Sequence, residues 1–343
     1  MTDILIELSG LAAPPGFETP AANRVSALFA QYMDETWIDV LGNVVGVRRC
    51  GKENAPKLLF DAHIDEPGLI VTGVEEGFLR FSPLGGLDAR ILPAAEVQIL
   101  SDPPLFGVIC VLPPHIMKPE DTEKTIKIED MFIDVGLSQE DAEKAVPAGT
   151  PGVFANSARR IGDDGLCGKA MDNRAGVTAI LHAVELLKDT ALDIDLYVMA
   201  STQEEVGLRG ATTGTFSIDP DYCVIVDVGH AKTPDTKPNE VYTTLGGGVI
   251  VSRGPNMNSQ FTEKIIRLAA EKDIKHQIDV APGGSSGTNA QVIQVSRLGV
   301  ATALFGIPLK YMHSAYESIS IDDVENTAQL LCETAKSIKG GGQ

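Results

Sequence analysis

No apolar run in this 343-residue sequence approaches the roughly 18 residues that a membrane-crossing helix needs, so no bilayer span is expected. Cysteine is sparse. Cys50, Cys110, Cys167, Cys223 and Cys332 are odd in number, far apart and without a Cys-x-x-Cys pair. Such a set excludes a disulfide framework and reads as reduced, mostly buried thiols in a reducing compartment. Positive charge is also short, with 28 Lys and Arg against 47 Asp and Glu and a net charge of −19. Nucleic acid and anionic membranes both demand a basic surface, so neither is an expected partner. The surplus charge makes a soluble, self-repelling surface and could also draw in cations. The opening MTDILIELSG carries neither the positive leader nor the cleavage site of a secretory signal. These absences together point to the cytoplasm. There is no repeat at a fixed period.

What is present has an α/β rhythm. Asp3 is placed to cap a first helix, and Thr19-Pro20 to start a second that runs to about Met33. WIDVLGNVVGVRR alternates into a strand pair around the turn dipeptide Gly42-Asn43. Four apolar runs follow: KLLF before Asp61, DLYVMA before Ser201, YCVIV before Asp227 and VATALFGI before Pro308. Runs apolar on both faces predict strands of a sheet covered on both sides. Helical stretches at 176–188 and 259–272 lie between them, which predicts an α/β fold with a mixed, mostly parallel sheet. Residues 68–163 break the rhythm with short strand-like pieces among Pro and Gly clusters, and with one helix capped by Ser138 and Asp141. This predicts a small β-rich domain inserted into a core made of 1–67 and 164–343. The glycines at 340–342 read as a frayed tail.

The chemistry gathers after each buried strand. KLLF leads to Asp-Ala-His-Ile-Asp-Glu (61–66), DLYVMA to Ser-Thr-Gln-Glu-Glu (201–205), YCVIV to Asp-Val-Gly-His (227–230), and the last strand to Tyr-Met-His-Ser (311–314). Open α/β sheets bind ligands at the carboxyl ends of their strands, so His63, Asp65, Glu204, Glu205, Asp227 and His313 should converge on one edge. Asp172 precedes a helix in Gly-Lys-Ala-Met-Asp-Asn-Arg-Ala-Gly (168–176). Two histidines and several carboxylates form a nitrogen/oxygen donor set that suits zinc, cobalt or manganese. A carboxylate-rich set also fits two adjacent cations sharing a hydroxide. In His63-x-Asp65, residues two apart on a strand face one side, which casts Asp65 as the group that orients the imidazole. Adjacent Glu204 and Glu205 point in different directions, so one can hold metal while the other takes a proton from water.

At these residues the sequence resembles family 42 of the metallopeptidases, the glutamyl, deblocking and tetrahedral aminopeptidases, some of which are also described as cellulase-like endoglucanase homologues. The blocks that carry the resemblance are DAHIDEPGLIV (61–71), AMDNRAG (170–176), QEEVGLRGA (203–211), VDVGHA (226–231) and IPLKYMHS (307–314), with IDVGLSQEDAEKAVPAGTPGVF (133–154) similar to the family's second domain. The resemblance covers about Asp3 to Cys332. It implies a zinc-peptidase-like core and removal of N-terminal residues from short peptides with two ions of zinc or cobalt. It also implies that His63 and Asp227 hold one metal, that Glu205 and His313 hold the other, and that Asp172 bridges them. Glu204 would then be the general base and Asp65 the partner of His63. Many members assemble as twelve-subunit tetrahedra through the inserted domain, so the resemblance implies a homo-oligomer of the tetrahedral dodecamer kind. The sequence departs from the family at Asn289, where Asp is usual, at Lys310, where Arg is common, and at Asp61, where a small residue is usual.

The alternatives are an N-acyl amino-acid deacylase or carboxypeptidase of the same architecture. More distant ones are a glycoside hydrolase using a carboxylate pair and an inactive scaffold. Of the remaining residues, His182 reads as packing or surface, and His115 and His276 as exposed. His230, three residues past Asp227, could support the site. Gly246–Gly248 lacks the Lys-Ser/Thr of a phosphate loop and could instead let backbone approach a substrate. Arg174 could pair with a carboxylate near the site or cap the sheet edge, and Lys310 or Arg253 could form a basic pocket for a glutamyl residue.

Overall fold

A computed structural model describes residues 1–116, 125–237, 243–281 and 286–339; the glycines at 340–342 lie outside them. The chain opens with helices α1 (Thr2–Gly10) and α2 (Thr19–Phe29), then strands β1 (Glu35–Ile38), β2 (Val44–Arg48) and β3 (Lys57–His63). The next stretch holds β4 (Gly68–Glu75), β5 (Phe78–Leu84), β6 (Glu96–Ile99), β7 (Leu105–Cys110), β8 (Phe132–Asp134), α3 (Gln139–Ala145) and β9 (Pro151–Phe154). It is followed by β10 (Arg159–Ile161), β11 (Gly165–Gly168), α4 (Met171–Leu187), β12 (Asp195–Ser201), α5 (Arg209–Ile218) and β13 (Tyr222–His230). The last elements are β14 (Val249–Arg253), α6 (Ser259–Glu271), β15 (His276–Val280), α7 (Ala290–Ile293), β16 (Ala301–Lys310), β17 (Glu317–Ser320) and α8 (Ile321–Ser337).

Eleven strands form one sheet in the order β1-β2-β12-β3-β13-β16-β17-β11-β10, and β14 and β15 branch from β16. Its four central strands, β12, β3, β13 and β16, are parallel. The outer pairings are antiparallel except that of β14 with β15, which makes the sheet more mixed than the sequence predicts. The central strands bury both faces by strict alternation. Leu58, Phe60, Val198, Val224, Val226 and Phe305 enter one apolar cluster with α1, α2, α4, α6 and α8. Leu59, Met199, Cys223, Ile225 and Leu304 enter a second cluster with α5 and α7.

The six strands β4 to β9 close into a barrel of order β4-β5-β8-β7-β6-β9, around a core that includes Leu79, Val97, Ile99, Ile109 and Ile133. Closure pairs every strand and leaves no open edge. Strand β10 belongs to the large sheet although it lies within 68–163. Ser138 caps α3 through its hydroxyl, as the sequence predicts. Two other caps differ. Asp3 lies in the first turn of α1 behind Met1, and α2 is preceded by Glu18 and ends at Phe29. No described helix is long and apolar enough to cross a membrane.

Candidate metal centre and active site

Because β3, β12, β13 and β16 run parallel, their carboxyl ends deliver side chains to one edge, where a cavity of about 590 Å³ opens. His63 is the last residue of β3, Asp227 lies near the end of β13, and Glu204 and Glu205 follow β12. His313 follows β16 and has a left-handed backbone, while Asp172 sits where the start of α4 leaves helical geometry. All six line the cavity.

Their distances define two halves. His63 Nε2 is 3.1 Å from Asp172 Oδ1 and 3.9 Å from Asp227 Oδ1. His313 Nε2 is 3.5 Å from Asp172 Oδ2 and 3.4 Å from Glu205 Oε1. Each oxygen of Asp172 thus faces a different histidine. Donor atoms of His63, Asp172 and Glu205 all lie within 4.8 Å of one another. Among the described residues, buried Glu205 Oε1 has no hydrogen-bond partner of good geometry, only the 3.4 Å approach of His313 Nε2, and a cation would satisfy it.

The electrostatics point the same way. Burial, reinforced by the charges of Asp227, Glu205 and Asp172, pushes Glu204 up to about 9 against the pull of His63. Burial likewise raises Glu205, and it raises Asp227 to about 7. Burial would also raise Asp172, but hydrogen bonds from His313 and His63 outweigh it and hold that carboxyl well below the usual range. Contacts with Asp172 and Glu205 lift His313 to about 11. Crowded carboxylates that resist ionising, held around imidazoles, are a donor set that divalent cations relieve.

Asp65 does two things. Its main-chain carbonyl lies 3.2 Å and its carboxylate 3.4 Å from His63 Nδ1, so Nε2 is the nitrogen turned to the cavity. The same carboxylate accepts the backbone N–H groups of Glu204 and Glu205, each at 3.0 Å, and so fixes the turn that carries them. Glu317 escaped the sequence reading. Buried on β17, it accepts the Asp172 N–H at 3.0 Å and the His313 N–H at 2.7 Å, which ties two candidate ligands to one carboxylate.

The departures at 61 and 289 form a single unit. Asn289 Nδ2 donates to Asp61 Oδ2 at 2.8 Å and to Ser201 Oγ at 2.9 Å, with both residues buried. A second carboxylate at 289 would face Asp61 without water between them, so the amide goes with the acid.

Other expectations resolve individually. Arg174 is buried behind the site, donating to the carbonyls of Ile64 (2.7 Å) and Leu8 (2.5 Å), with Glu66 at 3.8 Å; Lys169 holds Glu66 at 2.7 Å. His182 is half-buried between Glu185 and Glu325, and His115 is exposed. His276 is half-buried rather than exposed, because Nδ1 bonds the Ile274 carbonyl at 2.9 Å. His230 lines the cavity. Gly246–Gly248 lies away from it: Asp323 accepts the N–H groups of Gly246 and Gly248, each at 2.7 Å, so the turn serves the fold. Lys310 lines a separate cavity of about 300 Å³, and Arg253 is paired on the surface with Glu263 at 2.7 Å.

The chain as a whole is similar to known proteins. The chain is 35% identical over 311 residues to a lysyl aminopeptidase of Pyrococcus furiosus, covering 89% of this chain and 88% of that protein. It superposes on a TET aminopeptidase from a marine sediment Thaumarchaeota archaeon with a TM-score of 0.93 at 31% identity, covering 99% of this chain and 96% of that one. It also superposes on the TET1 peptidase of Pyrococcus horikoshii, described as assembling into a tetrahedron or a large octahedral shell, with a TM-score of 0.85 at 28% identity, covering 98% and 99%. The model of the M42 glutamyl aminopeptidase family matches residues 42–330, and the chain belongs to that family.

Proposed function

We propose that the protein is a two-metal aminopeptidase that removes residues from the free N-termini of short peptides. His63 and Asp227 would hold one ion and Glu205 and His313 the other, with Asp172 placed between the two pairs to serve both. The observation that carries this reading is the placement of the two Asp172 oxygens against different histidines. Zinc, cobalt or manganese bound there would supply Lewis-acid polarisation of the scissile carbonyl and acidify water. Glu204 then takes a proton from the attacking water and returns it to the leaving amine. Glu204 lines the cavity beside the candidate ligands without being one of them, the position that such a base needs. Asp65 holds His63 in the ligating tautomer and keeps Glu204 facing the cavity.

We further propose that residues 1–67 and 164–343 form the catalytic unit, and that the insert at 68–163 joins copies into a homo-oligomer, a tetrahedral dodecamer on the pattern of the TET relatives. Reduced cysteines fit residence in the cytoplasm. The test is a panel of aminoacyl-p-nitroanilides and their N-acetylated forms, assayed with zinc, cobalt or manganese and then with chelator. Release from free substrates only, lost on chelation and restored by metal, is the expected result. Hydrolysis of the acetylated forms would make the protein a deacylase, and silence under every metal would remove the enzyme reading.

A further inference from the structure

We propose that Asp279 selects peptides whose N-terminal residue carries a basic side chain, an inference that rests on the aminopeptidase reading and names its substrate class. The cavity extends from the candidate metal ligands across β16 and β14 to β15. Asp227 is in register with Gly306, and Gly306 with Ile250. One pleat away, Leu304 is paired with Ser252, and Ser252 with Asp279. All six residues line the cavity. From β13 to β15 there are three strand spacings, roughly 14 Å of floor. The missing side chains of Gly306 and Gly229 make room for Ile250, which packs against both and gives the floor an apolar surface next to the ligands.

A peptide anchored by its amino group and first carbonyl at the ligand cluster therefore lays its first side chain over Gly306 and Ile250 towards Asp279. Short side chains stop over the apolar part, whereas lysine and arginine are long enough to approach the carboxylate.

Charge decides the class. Among the described lining residues none is Lys or Arg, and outside the ligand cluster Asp279 is the sole carboxylate. It is half-buried and has no hydrogen-bond or ion-pair partner among the described residues, so its charge is directed at whatever enters. The two cations that could have served an acidic substrate are elsewhere: Lys310 is in another cavity, and Arg253 is held by Glu263. A glutamyl residue would meet repulsion here.

The test compares the wild-type protein, Asp279→Asn and Asp279→Lys, all loaded with metal, on lysyl-, arginyl-, leucyl- and glutamyl-p-nitroanilide. The wild type should have its highest kcat/KM on the lysyl and arginyl substrates and its lowest on the glutamyl one. Asp279→Asn should lower the lysyl-to-leucyl ratio about 10- to 100-fold, the range of a hydrogen bond to a charged group. Asp279→Lys should raise the glutamyl-to-leucyl ratio. The ratio cancels any general loss of folded or metal-loaded enzyme. An unchanged lysyl-to-leucyl ratio in Asp279→Asn, or a wild-type preference for glutamyl, overturns the assignment of Asp279. Failure of the wild type to cleave any of the four overturns the aminopeptidase reading instead.

Discussion

Glu204 and Glu205 are neighbours in sequence with opposite assignments, and Asp65 separates them by accepting both backbone N–H groups. Replacing Glu204 by Gln keeps the shape and removes the base. Turnover should fall by about 10²–10⁴ while metal stoichiometry, measured by elemental analysis, stays at the wild-type value. Glu317 makes a different prediction. It touches the site only through the backbones of Asp172 and His313, so Glu317→Gln loses one acceptor and loosens both candidate ligands. Metal affinity, titrated against a chromophoric chelator, should weaken about 10- to 100-fold. The legibility of these residues differs for a physical reason. His63, Glu205, Asp227 and His313 stand at the ends of buried runs, where a parallel sheet gathers them. Glu317 accepts N–H groups from residues 4 and 145 positions away, a relation that no local pattern carries. Asp279 was invisible for the same reason, since it enters the cavity only through the pairing of β15 with β14.

At the scale of elements, the central strands were legible because residues apolar on both faces have few other destinations. Their flanking partners were less so: the β1–β2 pair shows in WIDVLGNVVGVRR, but its docking on β12 and the antiparallel additions of β14 and β17 depend on which edge remains unpaired and carry no signature of their own. The start of α5 shows how an element positions chemistry. Asn43 Oδ1 accepts the Thr202 N–H at 3.0 Å while its amide donates to the Gly210 carbonyl at 3.0 Å, which ties the turn after β12 to α5. A methyl group on Gly210 would overlap both Asn43 and the Thr202 backbone. Gly210→Ala should therefore cost about 1–3 kcal/mol by overpacking, seen as a lowered Tm. Peptidase activity should fall with it, because residues 203–205 move with the turn.

For the whole molecule, the barrel exposes large apolar side chains that a lone copy would leave in water. Phe106 on β7 is 59% exposed, and Leu112 just beyond it is 63% exposed. If the insert joins copies, Phe106→Asp with Leu112→Asp should shift native mass spectra from twelve-chain to smaller species. The small species should still bind metal, since every candidate ligand comes from outside β4 to β9.

The dispersal of those ligands sets the timing of activity. They come from five segments between His63 and His313, so no contiguous fragment holds the set. A chain still emerging from the ribosome has His63, Asp172, Glu205 and Asp227 but lacks His313, the one candidate ligand that follows β16. Metal capture therefore waits for the last parallel strand to dock. If the centre works as proposed, the protein would carry its own safeguard: it would cut only once folded, and an immature copy would be harmless to its neighbours.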